Sequence, residues 1–380
     1  MCRAPVRILR VDKHRCRASP TVLVRSGGPL AGSREVDVNS SFIRTLGVDL
    51  PVFAAPMAGG AGTPALVVAA ARAGGLGFLA AGYKTPQALD AEIVTVEAAA
   101  VPFGVNLFVP NPVPIDPAAL RRYAELLAAE ADRHGVTLDP APVEDDDRWH
   151  DKLDLLRARP VPVISLTFGI PGPADLAALR ATGALLVQTV TSLDEAKAAA
   201  AAGVDALAVQ AATAGGHYGT FTPSAPVTGI ALTDLVAAVR HAVDLPSIAA
   251  GGLSTPQDVA AALRAGADAA AVGTVLLRSD EAGTSAVHRA ALADPDRTGT
   301  VVTRAFTGRP ARALRNEFTD RYAELAPYGY PAVHHLTAGL RRAAAAAGDA
   351  ERVHLWAGTG YRQAADGPAA AILARLAAQP

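Results

Sequence analysis

Between residues 50 and 275, short apolar runs alternate eight times with alanine-rich amphipathic segments. That rhythm restricts the chain to parallel strands joined by crossover helices. The expected strands are 52–55 (VFAA), 76–79 (LGFL), 103–107 (FGVNL), 162–166 (PVISL), 184–187 (ALLV), 206–209 (ALAV), 247–250 (SIAA) and 269–272 (AAAV). The segments 63–73, 193–202, 232–243 and 255–265 carry Ala and Leu on one face, with Ser, Thr or Asp near their starts, the pattern of capped helices. Strands apolar throughout are buried on both faces, so the expected fold is α/β, a (β/α)8 TIM barrel; an open doubly wound sheet is the alternative.

The barrel is expected over 41–295. A Pro-rich excursion (110–160) interrupts it, and the acidic run at Glu144 to Asp147 inside that excursion reads as a solvated helix start. Beyond 295 the strand rhythm stops, and 296–380 reads as a smaller, mainly helical second domain capping one barrel end. Residues 1–40 read as a disordered or mispredicted arm, rich in Arg up to residue 34 with Asp12 as its one acid there.

Composition narrows the function. With 35 basic and 36 acidic side chains, no global field favours nucleic acid or an anionic membrane. Mean hydropathy is +0.23, yet no apolar stretch reaches bilayer length. Both cysteines, Cys2 and Cys16, lie in the arm, which leaves the barrel without a thiol nucleophile or a disulfide. A cytoplasmic monomer or homodimer acting on a small molecule is expected.

Ligands of such a barrel bind where the strands end. After the first strand comes Ala55-Pro56-Met57, followed by Gly59-Gly60, where backbone can lie flat against a planar ligand. Asn106 ends the third strand among apolar neighbours and needs a polar partner, from a ligand or from a loop. The sixth strand runs into Gln210 and then Gly215-Gly216-His217-Tyr218-Gly219, which holds an imidazole where a proton can be exchanged. Strands seven and eight end in Gly251-Gly252 and Val272-Gly273-Thr274, a pair of turns suited to a phosphate. Phosphate at the last two strands and a ring near the first, third and sixth describe a phosphorylated planar cofactor, and flavin mononucleotide (FMN) fits.

The ordered set AAPMAGG, PFGVNLF, QAATAGGHYG, IAAGGLSTPQDVAAALRAGADAAAVGT and TRAFTGRPAR, over roughly 48–360, resembles the nitronate monooxygenase family, formerly 2-nitropropane dioxygenase. The resemblance implies an FMN barrel with a smaller domain packed over its site. It also implies that Asn106 and Gln210 contact the flavin ring with Gly215 beside it, that Gly251, Gly252, Gly273 and Thr274 hold the phosphate, and that His217 is the base or electrostatic anchor. Thr213 and the pair Ala271-Val272 stand where the family often has an acid and a Gln-Met pair, which bears on the tuning of His217 and on substrate choice. The implied reaction is oxidation of an alkyl nitronate, such as propionate 3-nitronate, by O2 to a carbonyl compound and nitrite or a related nitrogen oxide. The alternatives are an FMN-dependent enoyl-acyl-carrier-protein reductase using NAD(P)H and a non-catalytic flavin-binding protein. In the tail, AFTGRP offers an arginine, Arg309, that could pair with carboxylates or pack the second domain onto the barrel, and Trp356 to Tyr361 is a Gly-rich aromatic loop.

Overall fold

A computed structural model describes residues 41–378; the expectation for the arm lies outside the described residues. Eight parallel strands close on themselves: β1 (Val52–Ala54), β2 (Gly77–Ala80), β3 (Phe103–Phe108), β4 (Val163–Thr167), β5 (Leu185–Val190), β6 (Ala206–Gln210), β8 (Ser247–Ala250) and β9 (Ala269–Val272). β7 (Gly216–His217), between β6 and β8 in the chain, lies outside the barrel. β1 pairs with β9 in parallel, Val52 opposite Ala270, so the sheet is a closed barrel and the open alternative falls. The helices between strands begin as anticipated: Thr63, Thr85, Ser192 and Thr255 each accept a backbone N–H from the first turn, and Asp258 completes a capping box on Thr255.

Inward residues fill the lower barrel. Phe53, Phe78, Val163, Val187, Ile248 and Ala269 form one cluster with Phe42, Ile43 and Leu46 of the helix Ser41–Leu46, which therefore plugs the N-terminal end. Phe78 needs room, and Gly104 provides it: a Cβ at that position would stand 2.4 Å from the Phe78 ring. The layer above, with Ser165, Ala208 and Ala271, is short and leaves a hollow at the strand ends.

Past residue 295 the chain forms a hairpin, β10 (Thr300–Thr303) and β11 (Ala311–Leu314), and the helices Glu317–Tyr322 and Ala332–Ala346. This lobe has its own core of Phe306, Phe318, Tyr322, Val333, Leu336 and Leu340, shared with Leu120, Tyr123 and Leu127 of the excursion. The final helix, Ala369–Ala377, returns to the barrel. Its Ile372, Leu373 and Leu376 join the main core, and it packs on the helices Pro64–Arg72 and Pro256–Arg264, the position of an eighth barrel helix. No helix among the described residues is long and apolar enough to cross a membrane.

Candidate active site

The hollow at the strand ends, closed over by the second lobe, is a cavity of about 640 Å³, within the range of cavities that enclose cofactors and substrates. Ala55, Pro56, Met57, Asn106, Gln210, Gly215, Gly216, His217, Gly251, Gly252, Val272, Gly273 and Thr274 all line it. Residues from five strand ends thus converge on one space.

His217 is held from two sides. Its short strand β7 pairs antiparallel with β11, His217 opposite Ala311, and the Tyr218 N–H donates to Pro310 O at 2.9 Å. Gln210 clasps the same segment from the barrel, with Nε2 donating to His217 O (3.2 Å) and Oε1 accepting from Gly219 N–H (2.7 Å). Gln210 thereby ties the imidazole segment to β6, a role beside the ring contact implied for it.

The hydrogen bonds also select a tautomer. Thr307 is buried, and its hydroxyl donates to the Arg309 carbonyl at 3.2 Å, because a carbonyl can only accept. The same oxygen lies 3.0 Å from His217 Nε2, which must then be the donor. Nδ1 is left with its lone pair, and no protein donor reaches it among the described residues. Burial, reinforced by the charges of Arg309 and Arg341, pushes the His217 pKa down to about 3. The side chain is therefore a neutral imidazole with one free acceptor, enclosed by Phe168, Tyr330 and Trp356 at ring separations of 5.5–5.9 Å.

Asn106 is likewise oriented. Its Nδ2 donates to Ser165 Oγ (2.8 Å) and Thr167 Oγ1 (3.0 Å), so Oδ1 remains the acceptor available to a ligand. Gly251 and Gly252 have φ of +115° and +74°, where a side chain is strained. Thr274 Oγ1 accepts from Gly358 N–H at 2.9 Å, which leaves the hydroxyl proton free to donate. Gly215 is needed for a different reason: a Cβ there would lie 2.6 Å from Gly358 N, because the 213–216 and 357–359 loops cross in contact. Thr359 N–H donating to Thr213 O (3.1 Å) locks that crossing.

Of the two readings of Arg309 the structure takes the packing one, and it corrects the reading of the acidic run. Among the described residues Arg309 pairs with no carboxylate; it is fully buried, stacks 3.9 Å above the Phe168 ring, and donates to the carbonyls of Asn111 and Thr220, packing the lobe onto barrel loops. The acidic run is not wholly solvated. Asp147 is half-buried, 2.7 Å from the buried Lys152 Nζ, and accepts the Tyr83 N–H at 2.8 Å. That strut steadies Tyr83, a cavity residue at φ +67°, and Phe168 across the wall is also left-handed at φ +86°.

Sequence reasoning did not find Tyr83, Phe168, Thr307, Tyr330, His334 or Arg341. His334, Thr337, Ala338, Arg341 and Ala345 recur at helical spacing on one face of the helix Ala332–Ala346, and that stripe was the available signal.

The sequence profile of the nitronate monooxygenase family matches residues 39–379. A probable nitronate monooxygenase of Staphylococcus aureus (strain Newman) is 34% identical over 340 residues, 87% of this chain and 94% of that protein. The crystal structure of nitroalkane oxidase from Streptomyces ansochromogenes is similar with a TM-score of 0.85 and 46% identity, covering 90% of this chain and 97% of that one. FabK from Thermotoga maritima is more distant, with a TM-score of 0.67 and 26% identity over 88% of this chain and 93% of its own. The family match and the likeness to nitroalkane oxidase make the class that of a flavin-dependent oxidoreductase. More narrowly, the chain belongs to the nitronate monooxygenase family.

Proposed function

We propose that the protein uses FMN and O2 to oxidise alkyl nitronates of the propionate 3-nitronate type, giving a carbonyl compound and nitrite or a related nitrogen oxide. One observation carries the reading: a neutral, tautomer-locked imidazole shares a single cavity with paired glycine turns and a free amide oxygen, in a chain of this family. The residues fit a flavin. The turns Gly251-Gly252 and Gly273-Thr274, with the free Thr274 hydroxyl proton, would hold the phosphate; Asn106 Oδ1 would accept from the ring N–H; Ala55, Pro56 and Met57 would lie against the ring. When bound, FMN supplies the electron acceptor that passes electrons to O2.

His217 Nδ1 would take the proton from the carbon next to a nitro group, generating the nitronate inside the cavity, where the new anion beside the imidazolium offsets the burial that otherwise disfavours its charge. Thr307 holds the ring so that Nδ1 and not Nε2 is the open edge, and Phe168, Tyr330 and Trp356 pack around the imidazole.

The test is a visible spectrum and an oxygen-electrode assay on the purified holoprotein. A yellow protein that consumes O2 with propionate 3-nitronate, without nicotinamide, is expected. His217→Ala should keep its flavin yet lose about 10²- to 10⁴-fold in rate on neutral nitroethane. Rapid anaerobic bleaching of the flavin by NADH or NADPH, with no nitronate turnover, would favour the reductase instead.

A further inference from the structure

The cavity wall contains Arg341 and Arg342 and not one Asp or Glu. Its four histidines add no charge, since burial holds His217, His334 and His288 neutral, with pKa values near 3, 2 and 4, and keeps His354 well below its usual value. Arg342 is exposed at the rim, whereas Arg341 is only 7% exposed. A cation so enclosed ordinarily has a carboxylate beside it. Arg341 has none within ion-pair distance among the described residues. Its Nε donates to Thr337 Oγ1 (3.0 Å) and its Nη2 to His334 O (2.9 Å), with His334 Nδ1 also 3.3 Å from Nη2, while Nη1 has no acceptor among the described residues.

Arg309 is the instructive contrast. It too lacks an acid, but both its Nη atoms are taken by backbone carbonyls, its face is covered by Phe168, and it does not reach the cavity wall. Arg341 is held through Nε and Nη2, with Nη1 open. The two Nη1 N–H groups lie in the guanidinium plane, where they can meet the oxygens of a planar anion. Its neighbours are Tyr83, His334 and Thr337, not the glycine turns that line the same cavity near Thr213 and Thr359.

We propose that Arg341 is the anion-recognition residue of the substrate cavity, binding a planar two-oxygen anion, a carboxylate or a nitronate, through its open Nη1. The assignment rests on the reaction proposed above, since the substrate of that reaction is the source of the anion. Both groups are flat and singly charged, so either end of a carboxylated nitronate satisfies the same chemistry.

The decisive measurement is equilibrium binding of propionate, with propionamide as its neutral isostere, to the flavin-loaded protein, followed by the flavin absorbance change. Propionate should bind the wild type at least tenfold more tightly than propionamide. Arg341→Gln should erase that preference, and Arg341→Lys, which keeps the charge, should restore part of it. Equal binding of the two ligands by the wild type overturns the proposal without any variant. So does an Arg341→Gln protein that binds propionate normally, or one whose sole defect is weaker FMN binding. Kinetics then separate the two anions: a KM increase in Arg341→Gln confined to propionate 3-nitronate identifies the carboxylate, and an equal increase with the nitronate of nitroethane identifies the nitronate group. A wild type that prefers propionate through Arg341 yet consumes no O2 with any nitronate sinks the proposed reaction and leaves the anion site standing.

Discussion

Thr307 carries no chemistry of its own, yet its hydroxyl decides which imidazole nitrogen of His217 is free. Replacing it with Val keeps the volume and removes the acceptor. The Nε2–H is then unpartnered in a buried setting, a loss of about 1–3 kcal/mol. We expect kcat/KM on neutral nitroethane to drop about tenfold to a hundredfold in Thr307→Val, the rate equivalent of that energy, and to recover in Thr307→Ser. The ¹⁵N shifts of His217 should report mixed tautomers only in the Val variant, a signal that a purely structural defect would not produce. The histidine itself was legible, because three glycines in a strand-end segment surround it. Its partner was not, since Thr307 lies 90 positions away and reads as one more turn residue.

At the scale of elements, the eight barrel strands could be read from the chain because residues buried on both faces leave continuous apolar runs. The structure shifts half of their ends by a residue, and β5 extends to Val190 through Gln188 and Thr189, polar residues that are buried. The pairing of β7 with β11 left no such trace. A two-residue strand has no period, and its partner lies in the other lobe. The same holds for the crossing of the two glycine loops, where Gly215 meets Ala357 and Gly358. Gly215→Ala drives a methyl to within 2.7 Å of the Ala357 carbonyl carbon, and overpacking of this kind destabilises by about 1–3 kcal/mol. The expected result is a lower melting temperature together with weaker FMN binding, measured by fluorescence quenching. Gly229→Ala, where a Cβ meets nothing within 4 Å, should leave both unchanged.

For the molecule as a whole, the accumulation of buried neutral histidines has a thermodynamic signature. Burial lowers the pKa of His217 to about 3, His334 to about 2 and His288 to about 4, and holds His354 well below its usual value. The unfolded chain takes up these protons near pH 6.5, while the folded protein does so only at far lower pH. Stability from these groups is thus fully present above pH 6.5 and declines as pH falls towards 4, by at most about 1.4 kcal/mol per pH unit for each half-buried histidine. Urea midpoints measured from pH 7.5 to 4.5 should fall steeply below 6.5, and a flat profile would contradict the burial described. Ligand occupancy should flatten the decline, because anything that binds only the native state opposes unfolding.

The placement of Ala369–Ala377 between the first and seventh helices of the ring also orders events during synthesis. The groove it fills stays uncovered until the entire second lobe has left the ribosome, so the barrel cannot be sealed as its strands emerge one after another. Wall and roof must be finished together, and a nascent chain halted within the roof would present an apolar seam to chaperones instead of a finished enzyme.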